Sequence, residues 1–122
     1  MSKSNYRDLE VWQKARALAT HVYRLSATFP RHELFGLSSQ MRRAAVSIPC
    51  NIAEGHGRRT NADRINFFVI ARGSLLEIET QALIAADLEY VEPSVANNVI
   101  ARTMEVTRLL NGLIRYYAGR PK

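Results

Sequence analysis

The sequence predicts an all-α protein, an up-down antiparallel four-helix bundle, and three observations carry that prediction. Apolar residues recur at spacings of three and four in four successive segments, the period of an amphipathic helix. Proline or glycine marks each junction, at Pro30, at Gly55 and Gly57, and at Pro93. The connections between the segments are short, and short connections make neighbouring helices antiparallel. The expected helices run over 8–28, 37–56, 61–88 and 93–117, with negligible strand, in a single domain spanning 1–122.

The first helix is expected to begin at Asp8 as N-cap, with Glu10 in the first turn, where the helix dipole favours a carboxylate. Trp12, Ala15, Ala19, Val22, Leu25 or Ser26, and Phe29 carry one face into a core until Pro30 stops the helix. Trp12 and Tyr23 read as core or interface anchors, while Lys14, Arg16 and Arg24 read as solvated positions. The connection PRHELFG is short enough to hold one helical turn of its own.

The second helix places Leu37, Met41, Ala44, Ala45, Ile48 and Ile52 on a core face. Gln40, Arg43, Ser47, Asn51 and Glu54 form a polar stripe beside it, and Val46, Cys50 and Ala53 lie opposite, so the helix reads as buried on two sides. Cys50 reads as a small packed side chain. Pro49 falls inside this pattern, where its missing N–H and its ring cost about 3 kcal/mol or force a kink. Because the apolar face runs through it, one kinked helix is favoured over two. Gly55 and Gly57 are expected to supply left-handed residues that end the helix, with Arg58 and Arg59 just beyond.

The third helix should start at Thr60, since T-N-A-D is close to a capping box, with Asp63 facing the cap. Ile65, Phe68, Val69, Leu75, Leu76, Ala82 and Leu83 make a broad apolar face, and Phe67, Ile70, Ala71, Ile78 and Ala85 extend it around most of the circumference. A helix apolar nearly all round belongs to a core larger than one small bundle, which predicts a homo-oligomer with the second or third helix in its interface. Arg72 and Glu79 sit on the same helix two turns apart, and charges there need partners. Arg43 and Glu54 are the natural candidates, giving a structural polar network of Arg43, Asn51, Glu54, Arg72 and Glu79. Pro93 suits the first position of the fourth helix. Val95, Val99, Val106, Leu109, Leu110, Leu113 and Tyr117 then share a face, and Arg108 and Arg115 fall off it.

A chain of 122 residues with 47% hydrophobic content can build one core without metal or disulfide staples. Its single cysteine excludes an internal disulfide framework and fits a reducing cytoplasm. The N-terminus is too polar for a signal peptide and no apolar run approaches the ~20 residues of a membrane span, so a soluble protein without membrane partners is expected. His21, His32 and His56 lack metal-site spacing. Glu54, Glu77 and Glu79 have no accompanying nucleophile, metal cluster or cofactor loop, so they read as structural. The expectation is a protein without enzymatic activity, cofactor or metal.

Four motifs in order carry a resemblance: DLEVWQKA, FPRHELFGL, SQMRRAAVSIPCNIAEGHGR and IARGSLLEIETQ. Together they closely resemble the proteins encoded by intervening sequences of large-subunit ribosomal RNA genes, a family also labelled S23 ribosomal protein. That family is similar to the accessory variability protein of diversity-generating retroelements. The resemblance covers roughly Tyr6 to Leu113. It implies an up-down four-helix bundle, assembly into five-subunit rings, and, in the retroelement branch, binding of nucleic acid or of a reverse transcriptase. It implies no catalytic activity, and the ribosomal label does not make the protein a ribosome component.

Seventeen basic against eleven acidic residues leave a net charge of +6, which favours acidic partners such as RNA or DNA. Position says more than the total. In an antiparallel bundle the N-terminus, the connection between the second and third helices, and the C-terminus meet at one end. That end collects Lys3, Arg7, Arg58, Arg59, Arg64, Arg115, Arg120 and Lys122 against Asp8, Glu10, Glu54 and Asp63. The other end carries Arg24 and Arg31 against Glu33, Asp87, Glu89 and Glu92. The bundle should therefore be electrically polar along its axis. Nucleic acid is expected at the basic end, led by Arg58, Arg59 and Arg64, with Tyr6, Tyr116 and Tyr117 as stacking surfaces. The competing expectation is an adaptor that docks a protein.

Overall fold

The computed structural model describes residues 5–120, and they form four helices with no strand among the described residues. These are α1 (Glu10–Ser26), α2 (Leu37–His56), α3 (Asn61–Asp87) and α4 (Pro93–Ala118). Each helix packs on its neighbours in the order α1, α2, α3, α4 and back to α1, and neither diagonal pair brings its Cα atoms within 8 Å among the described residues. Paired positions run in opposite senses along the α2–α3 and α3–α4 seams. Ser74 meets Ser47 and Phe68 lies beside Gly55 between α2 and α3, while Arg72 meets Asn111 and Glu79 meets Thr103 between α3 and α4. The architecture is the up-down antiparallel bundle the sequence predicts.

The core face of α2 is the predicted one, with Met41, Ala44, Ala45, Ile48 and Ile52 all buried. Pro49 lies inside an uninterrupted α2, so the single-helix reading holds. In α1 the face is rotated by one residue from expectation. Val11, Ala15, Leu18 and Val22 are buried, whereas Trp12 and Ala19 are half-buried at its margin and Tyr23 is exposed beneath the Arg42 guanidinium. Helix α1 also starts later. Asp8 belongs to a preceding 3-10 turn, Tyr6–Asp8, capped by the Asn5 side chain, and Leu9 is the N-cap of α1 without any side-chain cap bond.

Gly55 and Gly57 do not adopt left-handed backbone, since no glycine has positive φ among the described residues. Gly55 is inside α2 and buried. A Cβ there would stand 2.7 Å from Phe68 Cε1 and 2.9 Å from Phe67 Cβ, so the residue is small to let α3 approach. The left-handed residue is Glu89, φ 63, just past α3. Cys50 is exposed rather than packed.

The connection after α1 holds a 3-10 turn, Arg31–Glu33, as expected. Thr60 caps α3, its hydroxyl accepting the Asp63 N–H at 3.1 Å. Pro93 opens α4. The buried hydroxyls are paired: Thr103 donates to the Ile100 carbonyl, Ser47 and Ser74 hydroxyls share a bond at 2.9 Å, and Arg42 Nε donates to Ser26 Oγ at 2.7 Å. The apolar surplus of α3 remains on the surface of the single chain. Val69, Leu76 and Leu83, one every seven residues, are exposed together with Ile70 and Ile84.

Candidate nucleic-acid interface

The start of α3 and the end of the chain are tied together by Asn61, whose amide donates to the Arg120 carbonyl at 3.3 Å. Beside this link Arg64 lies over the Tyr117 ring at 5.1 Å, and Leu9 and Glu10 of the α1 entry share a surface groove with Tyr116. The entry to α1, the α2–α3 connection and the end of α4 therefore converge at one end, as antiparallel packing requires. At the opposite end Tyr90, after α3, reaches the α1–α2 connection and donates to Glu33 at 2.7 Å.

Arginines at the converged end are held against aromatic rings. Arg58 sits over Phe67 at 4.5 Å, Arg120 over Tyr116 at 3.5 Å and Arg7 over Tyr6 at 5.8 Å. A guanidinium on a ring keeps donors free at its edge while losing conformational freedom, a geometry suited to bidentate oxyanion binding. Some of the charge is answered locally. Arg58 pairs with Glu54 at 3.2 Å, an exposed i,i+4 pair, and Arg64 donates to Asn61 Oδ1 at 2.6 Å. Arg59 is exposed and has no hydrogen-bond or ion-pair partner among the described residues. Lys3 and Lys122 lie outside the described residues.

Arg115, in the last turn of α4, lines the α3–α4 groove with Arg72, Arg108 and Asn111, a cleft of about 410 Å³. The expected five-residue polar network is divided. Arg72 donates to Asn111 Oδ1 at 2.8 Å, Glu79 accepts from Thr103 at 3.1 Å, and Glu54 takes Arg58. Asn51 bonds within its own helix to Ser47, and Arg43 is exposed. The α3 charges find partners on α4 because Asn111 and Thr103 stand directly across that seam, whereas Arg43 faces outward from α2. Sequence reasoning missed Phe67 as the shelf under Arg58. Its signal was the spacing of nine residues across a tight turn, which only the known turn geometry converts into proximity.

The described residues thus define a small up-down helical bundle with an arginine–aromatic end. The chain belongs to the 23S rRNA-intervening sequence protein family, which it matches over residues 7–112. It is similar to a crystal structure of a protein with unknown function from the S23 ribosomal protein family of Bacteroides thetaiotaomicron VPI-5482, with 26% identity and a TM-score of 0.79. That similarity covers 85% of this chain and 97% of the other. No curated protein matches the chain. Among the described residues no helix is long and apolar enough to cross a membrane.

Proposed function

We propose that this protein is a non-enzymatic, cytoplasmic, self-assembling module that binds nucleic acid through the basic end of its bundle. The observation that carries the reading is the placement of Arg58, Arg64 and Arg120 over Phe67, Tyr117 and Tyr116, with the exposed Arg59 next to Arg58 in the chain. Ring-supported guanidiniums bind phosphate without the ordering cost of free side chains. Assembly, five-fold by resemblance, would repeat this end around one rim, so weak contacts add by effective concentration. The exposed apolar face of α3 supports self-association.

The test is affinity for duplex and single-stranded probes against salt, for the wild type and for Arg58→Ala with Arg59→Ala. Each lost phosphate contact should flatten the duplex salt slope by about 0.9. Unchanged affinity and slope in a folded variant would remove the end as the site. A second reading, an adaptor docking a protein such as a reverse transcriptase, is favoured by the same α3 face. Its complex should survive salt that releases a phosphate binder.

A further inference from the structure

Away from the basic end, the outer side of α1 carries an electropositive cleft of about 450 Å³ completed by one residue of α4. Arg16, Arg24 and Arg102 supply three guanidiniums to its wall, with Trp12 and His21 between them. No carboxylate lines it among the described residues. The nearest acidic residue along α4, Glu105, is engaged by Lys14 at 3.5 Å.

The donors of this cleft are unusually free. Gln13 is bonded to the Arg7 carbonyl and Thr20 to the Arg16 carbonyl, so these two polar groups are satisfied within the chain. Arg24 has no hydrogen-bond or ion-pair partner among the described residues, Arg16 only lies over Trp12, and Arg102 engages only its Nε, with Asn98. His21 Nε2 is buried without a hydrogen-bond partner among the described residues. Like charges brought together with their donors open fit an anionic ligand better than they fit a packed surface.

The cleft is also continuous with the basic end. Arg7 lies over Tyr6 at 5.8 Å, Tyr6 meets Trp12 edge-on at 5.1 Å, and Arg16 covers Trp12 at 5.6 Å. This alternation of guanidinium and ring leads from the bundle end onto α1. Arg16 and Arg24 are eight residues apart, about 12 Å along the helix axis, too far for one phosphate to bridge. A linear polyanion with accessible π-faces matches that spacing, and in a duplex those faces are closed inside the stack.

We infer that a single-stranded nucleic acid lies along the α1–α4 cleft, its phosphates on Arg16, Arg24 and Arg102 and a base against Trp12. This rests on the nucleic-acid reading above and extends it from an end to a track. The chain supplies its own reporters. Trp12 is the only tryptophan, so its emission reports on this cleft alone. The His21 imidazole is held below its ordinary range by burial and by the fields of Arg102 and Arg24, and a phosphate between the arginines would offset those fields.

The experiment titrates the full-length protein with a labelled oligothymidylate of about twelve nucleotides and with the corresponding duplex. Binding is followed by probe anisotropy, Trp12 emission and the His21 titration by NMR. The single strand should quench Trp12 and raise the His21 pKa. Arg16→Ala with Arg24→Ala and Arg102→Ala should weaken binding about tenfold or more and flatten the single-strand salt slope by about 2. The Arg58→Ala, Arg59→Ala variant should bind more weakly yet still quench Trp12 at saturation. If the probe binds by anisotropy while Trp12 and His21 do not respond, the track is overturned and the basic end stands. Equal quenching by the duplex would overturn the single-strand assignment, and absence of binding altogether would overturn both readings. Should the triple variant lose helix by circular dichroism, the two wild-type reporters decide.

Discussion

Gly55 sits on α2 where two residues of α3, Phe67 and Phe68, press against its backbone. A Cβ would meet Phe67 Cβ at 2.9 Å, an atom fixed to the α3 backbone, so relief requires the helices to part. Alanine gains about 1 kcal/mol of helix propensity there, yet overpacking costs about 1 to 3 kcal/mol. Gly55→Ala should lower stability in urea by up to about 2 kcal/mol, and a stabilised variant would refute the close-approach argument. Glu33 is the corresponding single residue at the far end. Its carboxylate accepts from the Tyr90 hydroxyl at 2.7 Å and from the Leu37 N–H at 2.9 Å, and these bonds hold its pKa below the ordinary carboxylate value. A depressed folded pKa means that the native state keeps the charged form more readily than the unfolded chain does. The contribution is therefore full above the unfolded pKa and is lost as pH falls through the folded one. The stability gap between wild type and Glu33→Gln should be present at neutral pH and close under acid. A gap independent of pH would show that the charge contributes nothing.

At the scale of the element, α2 tests how far local propensity can be overridden. Pro49 lacks the N–H that would bond to the Ala45 carbonyl, yet the helix runs unbroken from Leu37 to His56. Its core face, Ala45, Ile48 and Ile52, is fully buried on both sides of the proline, and that burial holds the turn helical. Replacing the ring with Pro49→Ala restores the bond and removes the clash. The expected gain is about 2 kcal/mol, the helix-interior cost of proline less its entropic benefit in the unfolded chain, read from thermal or urea unfolding. No gain would mean that α2 has adapted to the ring. The face of α2 was legible in the sequence because its apolar residues recur at three and four without interruption and a polar stripe, Gln40, Arg43, Ser47, Asn51 and Glu54, borders it. That of α1 was misplaced by one residue, since Val11, Trp12, Leu18 and Ala19 are adjacent apolar pairs and periodicity alone cannot choose within a pair. The glycines misled for a similar reason. A Gly-x-Gly beside a helix end suggests left-handed backbone, and only packing shows that Gly55 serves a neighbouring helix. The partners of Arg72 and Glu79 were hidden because they are neutral, Asn111 and Thr103, and nothing in a sequence marks a neutral side chain as the partner of a charge.

For the whole molecule, α3 decides whether one bundle is sufficient. Its inner face, from Phe68 through Leu75 and Ile78, is already buried within the chain. The outer stripe of Val69, Leu76 and Leu83 is a second apolar face, and it repeats every seven residues, the spacing with which one helix meets another. Met104 of α4 is exposed and shares the Leu76 groove, which widens the patch across the seam. Burying such a face on another copy removes apolar area from water at about 25 cal/mol per Å². A glutamate at the centre of it would have to be desolvated instead. Leu76→Glu with Leu83→Glu should therefore reduce the mass measured by light scattering to that of one chain while leaving the helical circular dichroism spectrum intact, because neither side chain contributes to the internal core. If assembly provides the multivalency proposed for the basic end, the same variant should lose nucleic-acid affinity without loss of any arginine. Wild-type protein that is monomeric at micromolar concentration, or a double variant of unchanged mass, would assign the stripe a different role and leave the basic end to act alone.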